Sequence, residues 1–106
     1  MNRLISDYRQ LTIQRWDCLS SGKNIEKANR KFLKAKALFK KIVQDNLLSE
    51  FVSLLSDPND AVALDAASTL LKNKIYVDES IKVLKRISML RGALGFDAEM
   101  CLKYLS

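Results

Sequence analysis

A chain of 106 residues, 48% hydrophobic and 28% charged, is long enough for one hydrophobic core and is not of disordered composition. It has no histidine, and its two cysteines, Cys18 and Cys101, belong to no CxxC, which excludes a zinc site and a thioredoxin-like motif and leaves a disulfide disfavoured in a reducing compartment. With a net charge of +6, no stretch near the ~18 apolar residues of a membrane span and no apolar signal core in Met1-Asn2-Arg3-Leu4-Ile5-Ser6-Asp7, the expected compartment is the cytoplasm.

Residues from Arg3 to about Ser21 read as a first helix. Leu4, Tyr8, Leu11, Arg15, Cys18 and Leu19 lie close to helical spacing, with Trp16 beside them as a packed residue, and Ser20-Ser21-Gly22 ends the element. A second helix runs from about Ile25 to Asp45, capped by Asn24. Its apolar row is Ile25, Ala28, Phe32, Ala35, Phe39 and Ile42, spaced alternately three and four apart. The other faces carry Lys23, Lys27, Arg30, Lys31, Lys34, Lys36, Lys40 and Lys41 against the single acid Glu26. That segment sums to +7, so the rest of the chain sums to −1 and the basic character belongs to this one helix.

Leu47, Leu48, Phe51, Val52, Leu54 and Leu55 form a short helix, apolar on nearly all sides and expected to be buried. The organising element follows. Asp57 reads as the cap of a helix starting at Asp57 or Pro58, with Asp60 in the capping-box position. Val62, Ala66, Leu70 and Asn73 then form one row and Ala63, Ala67 and Leu71 the next, an alanine-rich stripe that lets a neighbouring helix come close. Asp78 and Glu79 start the next helix, whose buried face is Ile81, Leu84, Ile87, Met89 and Leu90, and Gly92 stops it. A last helix follows Gly95, with Phe96, Met100, Leu102, Tyr104 and Leu105 available to close the fold.

A short helix ending in Leu54-Leu55, then Asp57-Pro58, then an alanine-rich helix resembles the turn of a HEAT repeat, with Leu47 to Ser56 as the first helix of the pair. Ala66-Ala67-Ser68-Thr69-Leu70, the run from Gly95 to Tyr104 and Asn24 through Arg30 resemble a family of small bacterial HEAT-like domains without a settled function. Ala63 stands where HEAT turns usually carry arginine, and Asp65 where the family often has an aromatic residue, so no role resting on those positions carries over. The resemblance and the helix count imply an all-α, short α/α solenoid of about six helices, one domain over residues 1–106, stable as a monomer.

No catalytic constellation accompanies this fold. Asp57, Asp60 and Asp97 read as helix-start residues, Asp65 and Glu99 lack a second carboxylate, Cys101 lies in an apolar helix face, and neither a calcium loop nor a Gly-rich phosphate loop is present. No enzyme, cofactor or metal is expected. The expected function is a protein-binding module, and the HEAT-like resemblance implies an immunity protein that neutralises a toxin domain. Two surfaces compete for the partner: Lys27, Arg30, Lys31 and Lys34 on the basic helix, and Asp57, Asp60 and Asp65 on an acidic edge in the part of the chain, residues 43–106, that sums to −2. The alternative is a nucleic-acid-associated protein using the basic helix 23–41, in which clustered cations displace condensed counterions.

Overall fold

A computed structural model describes residues 2–20, 22 and 24–105. These form six α-helices and one 3-10 helix, with no strand among them. Ser21 and Lys23, assigned above to the end of the first helix and to the basic face, lie outside the described residues. The chain divides into two compact units, Met1–Phe51 and Val52–Ser106.

In the first unit, α1 (Arg3–Ser20) and α2 (Ile25–Gln44) fold as a hairpin, followed by the short α3 (Leu48–Phe51). Asn2 starts α1, its Oδ1 accepting from the Leu4 amide at 2.8 Å. Asn24 starts α2 as the sequence predicts, its Oδ1 accepting from the Lys27 amide at 2.9 Å. Ile5, Tyr8 and Thr12 from α1 meet Ala28, Ala35, Phe39 and Ile42 from α2. Phe51 completes this core, with the rings of Tyr8 and Phe39 set edge-on to it at 4.9 and 5.0 Å. Ile25 departs from the expected apolar row: it sits in the first turn and is 68% exposed. The α2 helix ends in a Schellman motif. Asn46 takes the left-handed conformation (φ 58°), its amide donating to the Val43 carbonyl and that of Leu47 to the Ile42 carbonyl.

In the second unit, α4 (Asp60–Lys72) touches the 3-10 helix (Val52–Ser56), α5 (Val77–Ser88) and α6 (Ala93–Leu105). Ala61, Val62, Ala63, Leu64, Ala66, Ala67, Leu70 and Leu71 are all buried, so the small-residue stripe is the contact face the spacing predicts. Asn73, placed in the same row, is exposed at the C-terminal cap. The element order and helix packing within the units are consistent with a HEAT-like helical fold.

Several boundaries differ from the sequence reading, each for a local reason. The helix expected over Leu47–Ser56 is α3 followed by a 3-10 segment, which ends at Ser56 because Asp57, the residue before Pro58, is pushed out of the α region. The organising helix begins at Asp60, not at Asp57 or Pro58. Asn59 is its cap, its Oδ1 accepting from the Ala61 amide at 2.9 Å, while Asp57 accepts from the Asn59 amide at 2.9 Å in a turn around Pro58.

The α5 helix stops at Ser88, four residues before Gly92, which leaves Met89 85% exposed and Leu90 outside the core. Gly92 (φ 92°) instead opens α6, its carbonyl accepting from the Phe96 amide. That moves the buried side of α6 to Gly95, Ala98 and Cys101, and Phe96 and Tyr104 point away from it, 63% and 72% exposed. A Cβ on Gly95 would overlap the Leu90 carbonyl oxygen, so only glycine fits there.

Candidate interaction surface

On a helix turning about 100° per residue, Lys27, Arg30, Lys34 and Lys41 fall within about 60° of one another and form a row about 21 Å long. All four are exposed, and among the described residues no ion pair reaches any of them. Lys31 lies between this row and α1. It is half-buried, and its Nζ donates to Gln14 Oε1 at 2.8 Å, so it ties the hairpin together. Lys36 belongs to the other flank of α2, with its Nζ 5.7 Å from the Phe32 ring centroid.

Beside the row runs an open groove of about 580 Å³ between α1 and α2. Leu11, Ala37 and Leu38 make its apolar lining, Lys34 and Lys41 stand on the α2 side, and Asp7, Gln10 and Gln14 on the α1 side. The α1 contribution was legible in principle, because Asp7, Gln10, Leu11 and Gln14 follow the three-to-four spacing of one helix face. Leu11, one of the residues at helical spacing on α1, lies outside its buried set of Ile5, Tyr8 and Thr12.

Of the three acids of the expected acidic edge, Asp57 and Asp60 line one cleft and Asp65 lies on another face of α4. Asp60 and Asp65, five residues apart on α4, point about 140° apart. Asp57 is occupied in the turn before α4. Asp60 accepts from Arg86 Nη1 at 3.1 Å across a cleft of about 520 Å³ that Lys82 also lines. Asp65 is half-buried near Cys101.

The Cys101 thiol is pushed above its ordinary value by burial, opposed by a hydrogen bond with Ser68, with Asp97 and Asp65 adding to the rise and Lys72 opposing it. A thiol kept protonated is a poor nucleophile. Neither cysteine forms a disulfide. Trp16 is half-buried, with the Arg15 guanidinium 5.7 Å from its ring centroid, and Tyr76 is exposed. Among the described residues no three His, Cys, Asp or Glu side chains gather as a metal site, and no helix is long and apolar enough to cross a membrane.

No protein-family model, curated protein or solved structure matches the chain. The site chemistry is that of a small all-α module with a cation row beside an apolar groove.

Proposed function

We propose that the chain is a non-catalytic protein-binding module that docks an acidic surface of another protein on α2. The observation that carries this reading is the row Lys27, Arg30, Lys34 and Lys41, which no ion pair reaches among the described residues, whereas Asp57 and Asp60 are engaged at the start of α4. Unpaired surface cations attract an acidic partner over a Debye length and set its orientation. The HEAT-like resemblance supports a finer form: a cytoplasmic immunity protein, monomeric when free, that covers a toxin domain.

A nucleic-acid role draws on the same cations. The adjoining groove favours protein, because its apolar lining of Leu11, Ala37 and Leu38 is stabilised by burying apolar side chains and not by a phosphate backbone. The row also holds one arginine among lysines, and arginine is the residue that forks onto phosphates and guanine edges.

The test compares the wild-type chain with the triple variant Lys27→Glu, Arg30→Glu, Lys34→Glu in affinity capture from its own host, followed by salt-dependent binding to the captured protein. The triple variant should lose the partner, and Asp57→Asn with Asp60→Asn should keep it. Retention by the triple variant and loss by the acid variant would move the site to α4. Binding of random duplex DNA with a log–log salt slope near −0.9 per phosphate, and no captured protein, would replace this reading with the nucleic-acid one.

A further inference from the structure

We infer that the groove between α1 and α2 is the seat of a partner α-helix that is acidic along one edge and carries a leucine-sized apolar side chain beside that edge. This rests on the acidic-partner reading of α2 and adds the shape and pattern of what binds.

Lys27, Lys34 and Lys41 are seven residues apart, so they repeat every ~10.5 Å along α2. A second helix lying alongside repeats at the same interval, and carboxylates at heptad positions stay level with all three cations. An extended segment places same-face side chains ~6.6–6.8 Å apart and leaves the middle cation between two carboxylates. Ala37 and Leu38 sit in the chain between Lys34 and Lys41, and with Leu11 they make an apolar slot next to two unpaired charges. The slot therefore takes an apolar side chain lying between two of the partner's acids.

The other rim sets the orientation. Among the described residues Asp7 is the one acid lining the groove, and it stands on α1 with the neutral amides of Gln10 and Gln14. A partner presenting carboxylates to that rim meets repulsion from Asp7, whereas the same helix with its acidic edge over α2 meets Lys34 and Lys41. At the far end, the Lys31 to Gln14 hydrogen bond spans α1 and α2.

The probe is a fluorescein-labelled peptide with leucines alternately three and four apart and glutamates at heptad spacing along one adjoining edge, titrated with the full chain and followed by anisotropy. A scrambled peptide of the same composition is the control. The wild-type chain should bind the patterned peptide about tenfold more tightly than the scrambled one. Ala37→Phe, which fills the slot from an exposed position, should weaken binding about tenfold and keep its salt dependence. Lys34→Glu with Lys41→Glu should weaken binding and flatten the salt dependence.

Equal binding of both peptides, or undiminished binding by Ala37→Phe, would overturn the inference; the acidic-partner reading would stand if charge reversal still weakened binding. Indifference to both changes would remove the acidic-partner reading too. Matching melting curves establish that Ala37→Phe is folded, and Ala37→Met serves as the milder variant if it is not.

Discussion

The helices α2 and α4 carry the clearest patterns in the chain and use them in opposite ways. On α4, eight side chains from Ala61 to Leu71 are buried and Asp60 is paired with Arg86, so both apolar surface and charge are consumed within the second unit. On the longer α2 only Ala28, Ala35, Phe39 and Ile42 are buried, and among the described residues no ion pair reaches its row of cations. Formal charge therefore does not locate a docking face. Asp57, Asp60 and Asp65 are as visible in the sequence as the lysines of α2, but their interactions are already made.

The largest effect should come from adding volume to the same residue type on each helix. Ala67→Leu on α4 overpacks a closed contact and should cost about 1–3 kcal/mol in a denaturant melt. Ala37→Leu on α2 is a surface change and should stay within about 0.5 kcal/mol. Equal costs would mean that α2 is as closed as α4.

Next in size is a change that should stabilise the protein while weakening its docking. Lys27 is the third residue of α2, where a cation faces the positive end of the helix dipole and Arg30 and Lys31 follow at like charge. With Asn24 as cap, Lys27→Glu would complete a capping box and should raise stability by about 0.5–1 kcal/mol. The same variant should bind an acidic partner less well, a stability cost retained for function. A lower melting temperature with unchanged binding would refute both halves.

Removing the α4 to α5 ion pair should matter less. The Arg86 and Asp60 side chains are 53% and 36% exposed, so Asp60→Asn should cost only about 0.2–0.5 kcal/mol, less at high salt. A loss above about 1 kcal/mol would show that this pair holds α5 in place.

The smallest effect appears only in alkali. Because burial holds the Cys101 thiol up, the native state keeps a proton that the unfolded chain releases above ~pH 8.5. The stability tied to that proton is full below this pH and falls as pH rises through the folded value. The melting temperature should therefore drop more steeply in alkali than that of Cys101→Ala, and parallel curves would rule the contribution out.

Fold class and the main helices were legible because they rest on repeated local signals: the three-to-four spacing of Ala28, Phe32, Ala35, Phe39 and Ile42, the Asn24 cap and the alanine rows of α4. Boundaries failed where two good signals competed. Asp57 and Asn59 are both cap residues, and the geometry around Pro58 gives the cap to Asn59. Gly92 and Gly95 both read as punctuation, yet one turns the chain and the other lies inside α6. The cation row was visible in the sequence. The groove was not, because it needs side chains from α1 and α2 together, and neither periodicity alone shows which residues face each other.

The exposed turn from Met89 to Gly92 would attract anyone seeking a place to graft a tag or lengthen a loop. Gly95 forbids it. The Leu90 carbonyl occupies the space where a side chain at position 95 would stand, so the turn works as a clasp of fixed length that seats α6 against the end of α5. One inserted residue would pull Leu90 out of that seat, and tolerance to insertion should be low here despite the turn's exposure.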